Sequence, residues 1–89
     1  MRVALICQDK PGALVLRAEN RDAHLRYLQE TGVVEQAGPF LNELGEMVGS
    51  LLVLDVENIV AAREWAANDP YARAGLFADV FISEWKKVI

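Results

Sequence analysis

The chain has 89 residues, enough for one domain spanning residues 1–89, and its 53% hydrophobic content can supply a packed core. Its net charge of −4 argues against non-specific binding to nucleic acid or to anionic lipid, because both need a basic surface. No apolar stretch approaches the roughly 18 residues of a membrane span, and the apolar run after Arg2 is too short for a signal peptide. We therefore expect a cytoplasmic protein.

The first half of the chain predicts a strand, a helix and a second strand. Residues 3–8 form a short apolar run that favours a buried strand. Residues 13–31 have a helical pattern, but Asn20 resembles a helix N-cap, so we expect the helix to be interrupted there. Residues 33–37 predict a second strand, which we expect Gly38-Pro39 to close.

The second half predicts a strand, a helix and a last strand. Residues 48–56 favour a strand, and Asn58 is placed to cap a helix over residues 59–68. Asp69-Pro70 should end that helix, because the residue before a proline avoids the helical region. With residues 78–86 as the fourth strand, the order is β-α-β-β-α-β. This order predicts a ferredoxin-like α+β fold, an antiparallel four-stranded sheet with both helices on one face.

Both faces of the predicted sheet carry apolar side chains. In the first strand, Val3 and Leu5 alternate with Ala4 and Ile6, so neither face is polar. The chain has no further helices to cover the second face. The sequence therefore predicts a homodimer that forms through the sheet face.

The single histidine, His24, is the first candidate for acid/base chemistry. The predicted helix break at Asn20 places it in a first helical turn, where the helix dipole favours neutral imidazole, the form that accepts a proton. Asp69 ends the second helix, and antiparallel helices would bring it within reach of His24 to orient the ring. Spacing alone favours a surface histidine and a turn aspartate.

Three further polar residues are candidates for holding a ligand. Arg17 and Arg21 precede His24 and can bind a carboxylate or phenolate, although they also fit ordinary solvated arginines. Ser50 can donate a hydrogen bond, but no Gly-x-Ser-x-Gly motif indicates a nucleophile. One His and one Cys offer no metal-ligand spacing, and neither glycine-rich nucleotide motif is present, so we expect neither a metal nor another cofactor.

Four short segments in order resemble the YCII-related (YciI-like) family. They are Arg21-Asp22-Ala23-His24, Ala37-Gly38-Pro39, Gly49-Ser50, and Asp69-Pro70-Tyr71 with Ala74-Gly75. The resemblance implies a dimeric α+β barrel with a cleft in each subunit and an active site on His24 and Asp69. It also implies that Pro39 and Tyr71 contribute to substrate binding. Most of the family has no assigned reaction, but some relatives act on intermediates of aromatic-ring breakdown.

Three functional hypotheses follow. The leading one is a cofactor-free enzyme in which His24 and Asp69 catalyse the elimination or isomerisation of a small anionic substrate, with aromatic-derived compounds among the candidates. The alternative is a binding or sensing module for a small molecule that uses the same cleft without turnover. The third is a structural dimerisation domain, which predicts that no ligand stabilises the fold.

Overall fold

The computed structural model describes all 89 residues and has the predicted order of elements. These are β1 (Arg2–Asp9), α1 (Leu14–Thr31), β2 (Val34–Leu41), β3 (Met47–Asp55), α2 (Ile59–Asn68), the short α3 (Pro70–Arg73) and β4 (Phe77–Glu84). The strands form one antiparallel four-stranded sheet in the order β2-β3-β1-β4. The helices lie on one face of this sheet, so the predicted ferredoxin-like fold is confirmed.

The core lies between the sheet and the helices, and strand alternation decides which residues enter it. In β1, Val3, Leu5 and Cys7 are buried, while Ile6 and Gln8 point to the opposite face and are exposed. The buried side chains of β1 pack with those of β3 and with apolar residues of the helices. The core cluster comprises Val3, Leu5, Cys7, Leu28, Leu52, Leu54, Ala62 and Trp65.

Helix α1 is continuous, so the predicted interruption at Asn20 is wrong. The Asn20 side chain donates a hydrogen bond to the carbonyl of Leu16, one turn earlier, instead of capping a new helix. His24 consequently lies in the middle of α1, where the helix dipole does not favour neutral imidazole as it would in a first turn. Buried residues on both sides of Asn20, among them Arg17 and His24, hold the helix on the sheet.

Strand β2 passes through Gly38-Pro39 and ends at Leu41, so the predicted end of this strand is also wrong. Strand β2 lies at the edge of the sheet, where a proline is tolerated because one side of the strand has no hydrogen-bonding neighbour. Pro39 is paired opposite Ser50 of β3, which brings both residues to the same region. The predicted cap of α2 is confirmed, because Asn58 Oδ1 accepts a hydrogen bond from the amide of Ala61 at 2.8 Å.

The face of the sheet opposite the helices carries exposed apolar side chains. Ile6 is paired with Leu51 on one side and with Phe81 on the other, so these three form a row across the sheet. Their exposed fractions are 42%, 38% and 56%. The centre of this face is apolar, as the sequence predicted. None of the helices has the length and hydropathy needed to cross a membrane.

Candidate active site

A cavity of about 110 Å³ opens between α1 and the β2–β3 hairpin. It contains six of the predicted site residues, namely Arg17, Arg21, His24, Pro39, Ser50 and Tyr71. The seventh, Asp69, does not line the cavity and contacts His24 instead. The remaining walls are formed by Leu25, Leu28, Ala37, Gly38 and Met47.

The His24 and Asp69 side chains form a buried hydrogen bond. Nδ1 of His24 lies 2.7 Å from Oδ1 of Asp69, and the side chains are only 7% and 2% exposed. Because an ionised carboxylate only accepts hydrogen bonds, Nδ1 carries the proton, and the Nε2 lone pair of the neutral ring is free. Nε2 makes no hydrogen bond with the protein. Every fully buried side-chain nitrogen and oxygen in the structure has a hydrogen-bond partner, so Nε2 is not fully buried. Nε2 therefore retains access to the cavity that His24 lines.

The break between α2 and α3 positions the Asp69 carboxylate next to His24. Helix α2 ends at Asn68, and Asp69 adopts φ −59° and ψ 128° before Pro70 starts α3. Oδ1 of Asp69 also accepts a hydrogen bond from the amide of Tyr71 at 2.9 Å, so Asp69 is the N-cap of α3. The cap fixes the carboxylate, and the carboxylate in turn orients the ring of His24.

Tyr71 is packed between the cationic and the acid/base parts of the site. Its ring stacks on the His24 imidazole, with centroids 3.9 Å apart and planes inclined by 14°. The guanidinium carbon of Arg17 lies 4.7 Å from the centroid of the same ring. Burial raises the pKa of the Tyr71 phenol, although the charges of Arg17 and Arg21 oppose the shift. The phenol is thus a neutral hydrogen-bond donor at ordinary pH.

Arg17 is buried and paired, so it is not the solvated arginine that its sequence position also allowed. Its Nε and Nη2 donate to the Asp9 carboxylate at 2.7 and 3.1 Å, and Nη2 donates to Ser50 Oγ at 2.9 Å. The side chains of Arg17 and Asp9 are each 5% exposed. Burial alone would lower the pKa of Arg17, but the hydrogen bond and charge of Asp9 outweigh it and raise the pKa.

Asp9 is the site residue that the sequence analysis missed. It lies at the end of β1, where the alternation of Val3, Leu5 and Cys7 continues to position 9 and directs this side chain toward the helices. An acidic residue on the core face of a strand needs a cationic partner. That parity was the signal in the sequence for a buried acidic residue, although it does not identify which arginine is the partner.

Arg21 lines the cavity as Arg17 does, but it is exposed and makes no ion pair. It is therefore the cavity cation whose charge no neighbouring carboxylate neutralises. No group of three or more His, Cys, Asp or Glu side chains in the structure is arranged to bind a metal ion.

Two core residues next to Ser50 support its position. A Cβ atom on Gly49 would lie 2.5 Å from the carbonyl oxygen of Cys7, so β1 and β3 can approach each other here only with glycine at position 49. Cys7 is paired with Ser50 in the register of the sheet. Burial raises the pKa of the Cys7 thiol to about 12, and the charges of Asp69 and Asp9 add to the shift. The thiol therefore stays neutral at ordinary pH.

The fold and the cavity define a small ferredoxin-like α+β protein, whose structural neighbours are of the dimeric α+β-barrel type. The chain belongs to the YCII-related family, because the model of the YCII-related domain matches residues 1–86. An uncharacterised protein of Haemophilus influenzae is 37% identical, and a protein named YciI from Escherichia coli O6:H1 is 35% identical, each match covering 99% of both chains.

Solved structures extend these similarities. The 5-chloro-2-hydroxyhydroquinone dehydrochlorinase of Burkholderia phenoliruptrix, in complex with 2,5-dihydroxybenzoquinone, superposes with a TM-score of 0.88 at 33% identity. The match covers 97% of this chain and 94% of the dehydrochlorinase chain. An antibiotic biosynthesis monooxygenase, at 11% identity and a TM-score of 0.61, covers 99% of this chain and 98% of its own, and it shares the fold alone.

Proposed function

We propose that this protein is an enzyme in which His24 is the general base and Asp69 its orienting partner. The reaction would be an elimination or isomerisation of a small anionic substrate derived from an aromatic ring. The observation that carries the proposal is the 2.7 Å bond between His24 Nδ1 and Asp69 Oδ1, which leaves Nε2 as a proton acceptor facing the cavity. Proton transfer of this kind needs no electron carrier, so the side chains suffice without a cofactor.

The proposed reaction begins with a proton transfer from the substrate to His24. Nε2 of His24 removes a proton from an acidic O–H or C–H bond of the substrate and becomes imidazolium, which the Asp69 carboxylate stabilises. In an elimination from a chlorinated ring, the imidazolium first returns the proton to the carbon that bears the chlorine; removal of a second hydroxyl proton then forms a new π bond and expels chloride. In an isomerisation, the imidazolium returns the proton to a different carbon. The two reactions share the base and differ only in the substrate.

The polar groups around the cavity suit an oxygen-bearing ring. Ser50 Oγ accepts a hydrogen bond from Arg17, so the hydroxyl hydrogen of Ser50 is available to a substrate oxygen. The Tyr71 phenol offers a second neutral donor, and Arg21 supplies an unpaired positive charge. The cavity of about 110 Å³ is smaller than the apolar cavity of about 150 Å³ that is known to hold benzene, so it accepts at most a single ring, with the ring substituents at its open mouth.

The dehydrochlorinase supports the substrate class, since it is 33% identical over nearly the whole chain. We would incubate the protein with 5-chloro-2-hydroxyhydroquinone and measure chloride release together with the quinone absorbance. One chloride and one proton should be released per molecule converted. Tight binding of 2,5-dihydroxybenzoquinone without turnover of this substrate or of its halogenated analogues would instead favour the binding or sensing module.

Arg21→Ala should weaken binding of 2,5-dihydroxybenzoquinone, whose acidic hydroxyls ionise below neutral pH, by about fivefold. The loss should shrink in high salt, because the lost interaction is between charges near solvent. Arg26→Ala is the matched control, since Arg26 is an exposed arginine of the same helix that does not line the cavity. Isothermal titration calorimetry at two salt concentrations measures the effect. Equal affinities for the two variants would contradict the assignment of Arg21.

We further propose that two copies associate through the apolar sheet face that Ile6, Leu51 and Phe81 form. Phe81→Glu should convert a dimer to a monomer in sedimentation-velocity runs at micromolar concentration, because the charge would have to be buried. Val15→Glu is the control, since Val15 is 70% exposed on α1, on the other side of the sheet. A dimer that survives Phe81→Glu would exclude this face. The cytoplasmic location stays a prediction from the sequence.

A further inference from the structure

Met47 lies between the active-site cavity and a second concavity. The second concavity, here called the distal groove, has a volume of about 290 Å³ and lies where β1 leads into α1. Its walls are residues 8–14 together with Met47 and Val48. Met47 is the one residue that lines both spaces. Its side chain therefore forms part of the wall that separates them.

The rest of that wall is the buried ion pair. Arg17 faces the cavity and Asp9 faces the distal groove, and two hydrogen bonds hold the guanidinium against the carboxylate. A paired and buried arginine cannot move aside without leaving a buried charge unpaired. Met47, in contrast, is an unbranched apolar side chain that can adopt several rotamers, and it is only partly buried at the first residue of β3. Met47 is thus the adjustable part of the wall.

We propose that Met47 determines how large a substrate the cavity accepts. In the present chain it closes the cavity on the side of the distal groove, so the substrate class is a single ring without a bulky substituent directed to that side. A smaller residue at position 47 would join the two spaces. The distal groove would then receive an alkyl substituent along its apolar part, which Pro11, Ala13, Leu14 and Val48 form beside the polar Gln8, Asp9 and Lys10. This inference rests on the proposed function.

The test compares a compact and an extended probe on three proteins. The probes are 2,5-dihydroxybenzoquinone and its 3-hexyl derivative, and the proteins are the natural chain, Met47→Ala and Met47→Leu. By calorimetry, the hexyl probe should bind Met47→Ala at least about tenfold more tightly than the natural chain, which corresponds to burying about two methylenes. The readout is the affinity for the hexyl probe relative to that for the compact probe in each protein, because Met47 lines the cavity and its truncation also affects the compact probe. Met47→Leu nearly conserves the volume and should behave as the natural chain does.

A structural readout locates the extended probe. Methyl resonances of Ala13 and Leu14, which line only the distal groove, should shift when the hexyl probe binds Met47→Ala and should not shift in the natural chain. If the compact probe binds but Met47→Ala gains nothing for the hexyl probe, Met47 is not the wall. If the compact probe binds none of the proteins, the proposed substrate class fails and this inference falls with it. Met47→Val provides the same comparison if Met47→Ala does not fold.

Discussion

His24→Gln is expected to slow the turnover of 5-chloro-2-hydroxyhydroquinone by about 10²–10⁴-fold while leaving the affinity for 2,5-dihydroxybenzoquinone nearly unchanged. The amide of glutamine can fill much of the same space, but it cannot accept a proton at neutral pH. Loss of a proton acceptor should therefore act on the chemical step and spare ground-state binding. Chloride release measures the first effect, and calorimetry measures the second. A parallel loss of both would indicate a role in binding alone.

Asp69→Asn should lower turnover by a similar factor, because an amide does not stabilise the imidazolium that forms during proton transfer. The double variant should be little slower than either single variant, since the two side chains act as one unit. Asp79→Asn is a control, because Asp79 is an exposed carboxylate on β4 that does not line the cavity. Multiplicative losses in the double variant would contradict a joint role.

The ring tautomer provides a test without any substrate. Long-range ¹H–¹⁵N spectra of the single histidine should show a protonated Nδ1 and an unprotonated Nε2 when the ring is neutral, because Nδ1 donates to Asp69. The opposite tautomer would leave no lone pair facing the cavity. It would remove the basis for a general base at this position whatever the substrate is.

The proximity of His24 and Asp69 followed from the sequence, although one premise behind it was wrong. The order of elements and the stop at Asp69-Pro70 predict where α2 ends, and these are strong local signals. The predicted helix start at Asn20 rested on an N-cap preference that amounts to about 1 kcal/mol. Burial of Arg17 and His24 on one side of a continuous helix outweighs that preference. Topology thus predicted the pair more reliably than local capping did.

Side-chain pairing was the part of the site that the sequence did not reveal. Arg17 and Arg21 are both arginines one helical turn apart, and nothing in the local pattern says that one is buried against Asp9 while the other is exposed. The difference depends on the sheet register, which places Asp9 at the end of β1 beside the helix. Pro39 is a similar case, because its turn chemistry predicts a strand end, whereas the position of β2 at the sheet edge allows the strand to continue.

The buried ion pair has the largest expected effect on stability. Arg17→Met should lower the free energy of unfolding by about 3–5 kcal/mol, because it leaves the Asp9 carboxylate buried without a partner. Urea unfolding followed by circular dichroism measures the change, at one fixed protein concentration since self-association would shift the midpoint. Arg2→Met is the matched control. Arg2 forms a similar two-point contact with Glu35 at the surface, so the midpoint should hardly move.

The double variant Arg17→Met with Asp9→Leu separates two effects on the free energy of unfolding. One is the cost of leaving the Asp9 charge unpaired, and the other is the net contribution of the ion pair. Replacing both partners by apolar residues removes the buried charge altogether, so most of the stability lost in Arg17→Met should return. Binding of 2,5-dihydroxybenzoquinone should not return with it, because Ser50 loses the donor that fixes its hydroxyl and Tyr71 loses the guanidinium against its ring. If stability and binding recover together, the ion pair has no part in positioning the site. If stability stays low, the guanidinium contributes through its other contacts and the unpaired Asp9 is not the cause.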